Sequence, residues 1–237
     1  MVAAINEFDK VMVLVPPKHY EYSNLEKARQ CLGCQLDIKE DESLIINLSG
    51  KIACNSRDLG AITSNNIVSI LDKLEEKLGL SLDRDYFINN ATVCRLDVKR
   101  DIVLDGNPSD YISTMREVFN HNSEKYNITQ YTKGSYTQGF ELRPLTRSSN
   151  HKFMMYAKYP EIRNYRRKNN GYYEQFDSEF MENSIKNTVR TELQMYRFNA
   201  MRKEFGINHE EKITLAKAFD YDKNIINNKI NELLPAF

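Results

Sequence analysis

The sequence lacks an excess of charge of either sign, because 33 Lys and Arg residues balance 33 Asp and Glu residues. Affinity for a polyanion would therefore depend on basic residues clustered on one face. The sequence also lacks internal repeats, low-complexity tracts and a linker rich in Gly or Ser. With 41% apolar and 28% charged residues over 237 positions, it has the composition of an ordinary globular protein that needs no second domain.

The N-terminal segment lacks the features of a signal peptide or a membrane span. The stretch MVAAINEFDKVMVLV contains acidic residues and no basic start, and its apolar run over residues 11–15 is too short for either. The sequence therefore predicts a cytoplasmic protein.

The four cysteines lack the spacing of a zinc site. Cys31 and Cys34 form a C-x-x-C pair, whereas Cys54 and Cys94 stand alone in apolar, strand-like runs. Zinc would need a second close pair or histidines at ligand spacing. The histidines are scattered, at His19, His121, His151 and His209. This pattern favours reduced cysteines in or near the core.

Short apolar runs rich in β-branched residues predict most of the strands. They cover residues 11–15, 44–48, 52–54, 91–104, 128–131, 136–142, 152–158 and 188–195. Residues 44–48 and 52–54 would form a hairpin that turns at Ser49 and Gly50.

Helical spacing predicts a helix between Ser64, a candidate cap, and Gly79, a candidate end. Its apolar face consists of Ile67, Ile70, Leu71, Leu74 and Leu78. A second helix is predicted over residues 110–119, opened by Pro108 and Ser109. Residues 162–184 begin polar and basic and then become helical, and the tail from residue 210 is helical. The tail's predicted buried positions are Leu215, Phe219, Ile225, Ile226 and Leu233. Strands followed by a helix, repeated about twice, predict an α+β fold, a largely antiparallel sheet with helices on one face.

Three of the predicted strands carry polar residues on one side. Alternate side chains on a strand share a face. The apolar sets are Leu96 and Val98; Phe153, Met155 and Ala157; and Val189, Thr191, Leu193 and Met195. If these strands are neighbours with their apolar sides under helices, the other face gathers a reactive set. Its members are Asp97, Asp101, Tyr156, Lys158, Arg190 and Glu192.

These residue types can support chemistry on a phosphate. Carboxylates from different strands can hold Mg²⁺ or Mn²⁺, and Lys158 and Arg190 can offset developing negative charge. A phenol, with an ordinary pKa of about 10, needs a nearby cation or base to act as a nucleophile at neutral pH. An ordinary solvent-facing sheet carries the same residue types, and its cross-strand ion pairs contribute only about 0.2–1 kcal/mol. The parity of the strands, meaning which alternate residues share a face, by itself favours that ordinary surface.

Three motifs at these positions resemble those of plasmid and phage rolling-circle replication initiators of the Rep_trans type, whose relatives include relaxase-like proteins of integrative elements. CRLDVKRDIVLD resembles the family's Arg-hydrophobic-Asp strand with a second Asp four residues on. FMMYAKYPE resembles its Tyr-x-Lys-x-x-Glu motif, and VRTELQMYRF its Arg-x-Glu strand. The motifs occur in the family's order, and this shifts the preference to an active site.

The resemblance implies an endonuclease that nicks and rejoins one DNA strand through Tyr156 as the nucleophile. Attack would leave a 5′-phosphotyrosine and a free 3′-hydroxyl that primes synthesis. The implied ligands for Mg²⁺ or Mn²⁺ are Asp97, Glu192 and, as the third, Asp101. Lys158 would contact phosphate, and Glu161 and Arg190 would orient or neutralise neighbouring groups.

A basic run follows the Tyr156 motif and is interleaved with tyrosines. It consists of Arg163, Arg166, Arg167 and Lys168, with Tyr165, Tyr172 and Tyr173. Basic and aromatic side chains suit single-stranded DNA, whose bases stack on rings. A solvated loop without a partner is an equal alternative.

The resemblance covers about residues 40–207 and predicts a single replication-initiator nuclease-like domain over 1–237, with a helical extension over 208–237. Its partner would be DNA, single-stranded or at a supercoiled origin. Host helicase or polymerase and a second copy of the chain are further candidate partners, and a membrane is not. Two other functions stay open: a non-catalytic DNA-binding or protein-binding descendant of the same fold, and a phage structural or accessory protein.

Overall fold

The computed structural model describes residues 7–22, 33–52, 60–133, 136–146, 151–168, 185–208, 210–221 and 224–234. The chain divides into two compact units. The first contains Met1–Val98 and Met195–Lys223, and the second contains Lys99–Gln194 and Asn224–Phe237. The predicted C-terminal extension is thereby divided, with residues 208–223 in the first unit and 224–237 in the second.

Within the described residues, four strands precede the first α-helix, and three α-helices follow the last strand. The strands are β1 (Glu7–Val15), β2 (Tyr20–Tyr22), β3 (Cys34–Ile38), β4 (Leu44–Ser49), β5 (Leu80–Leu82), β6 (Thr92–Val103), β7 (Tyr126–Lys133), β8 (Tyr136–Pro144), β9 (His151–Ala157) and β10 (Thr188–Met195). The helices are α1 (Ile67–Leu78), α2 (Arg84–Asn89), α3 (Pro108–Phe119), α4 (Lys158–Lys168), α5 (Phe198–Phe205), α6 (Leu215–Asp220) and α7 (Ile225–Leu233). Short 3₁₀ turns cover Pro17–His19, Gly50–Ile52 and Asn120–Asn122.

Eight strands form one sheet in the order β3-β4-β1-β6-β10-β9-β8-β7, and β2 pairs with β5. The pairs β1–β4, β3–β4, β7–β8 and β8–β9 are antiparallel. The prediction of an α+β fold with a largely antiparallel sheet is therefore confirmed.

In the first unit, β1 and β4 supply apolar side chains to the core at matching positions. Val13 lies opposite Ile46 and Val11 lies opposite Leu48, and all four are fully buried. The alternation of buried and half-buried residues along β4 is that of a strand with one core-facing side. The apolar runs that predicted β1 and β4 thus form part of this core.

The predicted helix ending at Gly79 is α1, and its five predicted apolar residues are buried. Gly79 adopts a left-handed conformation with φ 60°, and its N–H donates to the Glu75 carbonyl at 2.9 Å. The predicted cap at Ser64 is wrong. Asn66 precedes the helix and orders the turn before it, because its side chain accepts from the Thr63 N–H at 2.9 Å and donates to the Ala61 carbonyl at 2.8 Å.

The predicted hairpin at Ser49 and Gly50 is also wrong. Gly50 begins a 3₁₀ turn that includes Ile52, and a Cβ at Gly50 would meet the Gly60 carbonyl oxygen at 2.2 Å, so this turn requires glycine. Residues 53–59 lie outside the described residues. The second neighbour of β4 is β3, which the sequence prediction missed although Cys34, Leu36 and Ile38 alternate with polar residues.

In the second unit, α3 covers one face of strands β8 and β9. The Phe119 ring meets the rings of Phe140 and Phe153 edge-on, with centroids 6.0 and 5.9 Å apart. Leu142, Met155, Val189 and Leu233 of α7 belong to the same buried cluster. The helices α3 and α7 therefore lie on the apolar face, and Tyr156 points to the other.

The C-terminal helices bury the residues predicted for them. These are Leu215 and Phe219 in α6 and Ile225, Ile226 and Leu233 in α7. Among the helices described, none is long and apolar enough to cross a membrane.

Candidate active site

Tyr156 lies on the polar side of β9 and is half-buried. The strand alternates between the buried residues Phe153, Met155 and Ala157 and half-buried ones, as its parity predicted. The Tyr156 hydroxyl donates a hydrogen bond to Oε1 of Glu192 on β10. The other carboxylate oxygen of Glu192 accepts from Nε2 of Gln194 at 2.9 Å. The phenol proton is thus directed at a buried carboxylate that is itself held in place.

Gly139 makes the position of Tyr156 possible, and sequence reasoning missed it. Gly139 on β8 pairs with Tyr156, and a Cβ added there would lie 2.6 Å from the Tyr156 Cβ and 2.8 Å from the Met155 carbonyl oxygen. No side chain can occupy that space without a backbone shift. An isolated glycine inside a predicted strand was the available signal of a close approach.

Arg190 and Asp101 form a two-pronged ion pair on the polar side. Nε of Arg190 lies 2.6 Å from Oδ1 of Asp101, and a terminal nitrogen lies 2.7 Å from Oδ2. Lys99 approaches Oδ2 at 3.3 Å. Burial raises the pKa of Asp101, but the hydrogen bonds and charge of Arg190 outweigh this, so the pKa lies below its ordinary value. Arg190 therefore has a charged partner in the interior.

Lys158 is the first residue of α4, so the prediction that it continues the strand face with Tyr156 is wrong. The strand ends at Ala157, and the helix turns the Lys158 side chain toward Glu161, with Nζ and Oε2 2.7 Å apart. Nζ also lies 5.9 Å from the centre of the Tyr156 ring. Lys158 therefore remains beside Tyr156, positioned by a helical i,i+3 contact.

Both sides of β10 are buried along its whole length. Arg190 is 1% exposed and Glu192 is 3% exposed. The alternative of an ordinary solvent-facing surface is therefore wrong for this strand. Charged groups persist in an interior when they are paired and hydrogen-bonded, as Arg190 is by Asp101 and Glu192 by Tyr156 and Gln194.

Asp97 belongs to the first unit and is fully buried. Arg95 donates hydrogen bonds to both of its carboxylate oxygens, at 2.8 and 2.6 Å. The Arg95 guanidinium lies 4.7 Å from the centre of the Tyr196 ring. Burial raises the pKa of Asp97, and the hydrogen bonds and charge of Arg95 oppose that rise.

The predicted metal ligands are engaged by donors. Both carboxylate oxygens of each residue accept hydrogen bonds. Arg95 donates to Asp97 and Arg190 donates to Asp101. Tyr156 and Gln194 donate to Glu192. In the part of the chain that the structure describes, no three His, Cys, Asp or Glu side chains form a group that could hold a metal ion. Arranged in this way the residues do not fit a divalent cation, and the metal stays a prediction of the motif resemblance.

Part of the basic run lies outside the residues that the structure describes. The backbone of residues 158–168 is helical, and the Arg163 side chain is exposed, with its guanidinium carbon 5.8 Å from the centre of the Tyr159 ring. The side chains of Tyr165, Arg166, Arg167 and Lys168, and residues 169–184 with Tyr172 and Tyr173, are outside the described part. DNA contact by the run stays a prediction.

The cysteine predictions can be followed at two positions. Cys34 is buried in β3 and Cys94 is half-buried in β6, where burial raises the pKa of its thiol. Cys31 and Cys54 lie outside the described residues.

The second unit thus combines an antiparallel sheet, with α3 and α7 on one face, and a tyrosine on the other face that is hydrogen-bonded to a buried glutamate. No family model matches the chain. No curated protein matches it. Among solved structures the chain is similar to a rolling circle replication initiator protein from Geobacillus stearothermophilus, over 96% of each chain, with 14% identity and a TM-score of 0.38.

Proposed function

We propose that this chain cuts and rejoins one strand of DNA, with Tyr156 as the nucleophile and Glu192 as the group that accepts its proton. The observation that carries the proposal is the hydrogen bond from the Tyr156 hydroxyl to Oε1 of Glu192. A positioned carboxylate within hydrogen-bond reach can act as the base that a phenol needs to attack at neutral pH. The order of the three sequence motifs supports the same nucleophile.

The proposed cleavage is a transesterification. The Tyr156 oxygen attacks the phosphorus, the bond from phosphorus to the 3′-oxygen breaks, and the phenol proton passes to Glu192. The departing 3′-oxygen takes a proton from solvent and becomes a free 3′-hydroxyl. In rejoining, that hydroxyl attacks the phosphotyrosine and loses its proton to solvent, while the tyrosine oxygen leaves and recovers a proton from Glu192. The backbone bond is exchanged without an external energy source.

Cations near the nucleophile would stabilise the charge that develops on phosphorus. Lys158 is one such cation, with Nζ 5.9 Å from the centre of the Tyr156 ring. Arg190 is committed to Asp101 at 2.6 Å and would act by holding that carboxylate. Preorganised charge of this kind is commonly a large term in enzymatic catalysis.

The decisive experiment is a search for a covalent adduct with 3′-labelled single-stranded oligonucleotides and with supercoiled plasmid that carries the DNA flanking the gene for this chain. The full chain should form a labelled adduct, and Tyr156→Phe should form none. Tyr159→Phe is the matched control, because it removes a hydroxyl three residues away in the same motif. Parallel reactions with Mn²⁺ and with a chelator test the predicted metal, and loss of the adduct in chelator is the outcome that the motif resemblance predicts.

Two outcomes would contradict the proposal. An adduct that persists in Tyr156→Phe would remove Tyr156 as the nucleophile. DNA binding without any adduct in the parent chain would instead favour the non-catalytic DNA-binding alternative.

A further inference from the structure

Three side chains converge on Glu141, which lies on β8 and is 5% exposed. The Tyr131 hydroxyl donates to Oε2, Nε of Arg143 lies 2.6 Å from Oε1, and Nζ of Lys152 lies 3.3 Å from Oε2. The three partners come from strands β7, β8 and β9. One buried carboxylate therefore holds an aromatic ring and two cations in fixed relation.

The strand register places this cluster on the same face as Tyr156. Tyr131 pairs with Gly139, and Gly139 pairs with Tyr156, so the two tyrosines occupy one row across three strands. Two strand spacings separate their Cα atoms by about 10 Å. Between them lies Gly139, where a Cβ would meet the Tyr156 Cβ at 2.6 Å, so no side chain from β8 stands between the two tyrosines in this row.

The cluster presents positive charge and an accessible ring. The Arg143 side chain is 61% exposed, and Tyr131 is 38% exposed. Burial raises the pKa of Glu141, but the Tyr131 hydrogen bond and the two cations outweigh it, so the pKa lies below its ordinary value and the carboxylate is ionised at neutral pH. Two cations against one anion leave one positive charge on the cluster.

We infer that Tyr131, Arg143 and Lys152 form a subsite for single-stranded DNA beside the phosphate that Tyr156 attacks. The Tyr131 ring stacks on the base of a neighbouring nucleotide, and the two cations hold its phosphate. Only a strand whose bases are unstacked can offer a base to such a ring, so the subsite selects single-stranded over duplex DNA. The inference builds on the proposed function, since that function supplies the DNA strand at Tyr156.

The test measures binding separately from chemistry, in the Tyr156→Phe background, by fluorescence anisotropy of single-stranded oligonucleotides. Tyr131→Ala should weaken binding by about tenfold, the scale of one lost stacked base. Tyr131→Phe keeps the ring and should bind like its parent. Arg143→Gln should lower the slope of log affinity against log salt by about 0.7, the value for one phosphate contact on a single strand. Lys77→Gln, an exposed cation on α1, is the matched control and should leave the slope unchanged.

Three results would overturn the subsite. One is unchanged binding in both Tyr131→Ala and Arg143→Gln. Another is equal weakening in Tyr131→Phe and Tyr131→Ala, which would give Tyr131 only a structural role through Glu141. The third is no oligonucleotide binding by the parent. Thermal melting shows which variants are folded, and Arg143→Gln, at an exposed position, keeps the test valid if Tyr131→Ala unfolds. Failure of the proposed function would look different: binding would respond as expected while the chain with Tyr156 formed no adduct.

Discussion

The Tyr156 hydroxyl donates its hydrogen bond to Glu192, a residue 36 positions further along the chain. Adjacent strands of the sheet, β9 and β10, bring the two together. The motif resemblance assigned Glu192 to a metal, whereas its contacts make it the immediate partner of the phenol. This relationship leads to predictions that separate catalytic from structural roles.

Glu192→Gln should slow adduct formation by about 10²- to 10⁴-fold, because an amide of the same size cannot take the phenol proton. Oligonucleotide affinity should stay near that of the parent. Single-turnover adduct formation measures the first quantity and anisotropy the second. Asp105→Asn, which removes an exposed carboxylate from the same unit, is the control. A Glu192→Gln rate equal to that of the parent would remove Glu192 as the proton acceptor.

Gly139→Ala should lower the free energy of unfolding by about 1–3 kcal/mol, the usual cost of overpacking. The added Cβ would lie 2.6 Å from the Tyr156 Cβ, so the adduct rate should fall as well. Gly106→Ala is the matched control, because nothing lies within 4 Å of its added Cβ, and its stability should change by no more than about 0.5 kcal/mol. Chemical denaturation gives both values. Equal stability of the two variants would contradict the close approach.

Asp101→Asn should cost about 3 kcal/mol of unfolding free energy, because it leaves the buried Arg190 without its carboxylate. The comparison is Asp72→Asn, which breaks the ion pair between Asp72 and Arg84. Those side chains are 54% and 45% exposed, and the loss should be at most about 1 kcal/mol. Urea denaturation of both variants checks the difference. A similar cost in the two would show that burial adds nothing to the Arg190 pair.

The acid dependence of stability should change in opposite directions at Asp101 and Asp97. The pKa of Asp101 is lowered in the folded state, so its contribution is full above its unfolded pKa of about 4 and is lost as the pH falls through the folded pKa. Asp101→Asn should therefore lose less stability on acidification below about pH 4. The pKa of Asp97 is raised, so its contribution falls as the pH rises from about 4 through the folded pKa.

Asp97→Asn removes that opposing effect, so its stability should rise more steeply than the parent's above about pH 4. Denaturation midpoints between roughly pH 3 and pH 7 give the slopes for both variants. Parallel curves for the parent and both variants would contradict the pKa directions.

Local patterns predicted most of the elements, because helical and strand periodicities depend on neighbouring residues alone. The helix α1, the strands β1, β4, β6 and β10, and the buried residues of the C-terminal helices follow from such patterns. Errors occurred where a distant backbone intervenes and where a strand passes directly into a helix. Gly50 packs against Gly60 and forms a turn instead of a hairpin, and Lys158 begins a helix directly after its strand.

The roles of the site residues were predicted from parity and motif order, and they remain predictions. Parity correctly put Tyr156 opposite Phe153 and Met155. It could not reveal that both sides of β10 are buried, since periodicity within one strand does not say what packs on its polar face.

Which side chains share a face of each strand follows from the order of residues, because alternation is a property of the extended backbone. Their partners depend on how the strands assemble in the folded protein. The tertiary structure paired Tyr156 with Glu192, Arg190 with Asp101 and Tyr131 with Glu141, because partner choice depends on strand order and register. It also revealed the need for Gly139, since the room for a side chain there depends on how closely the neighbouring strand approaches.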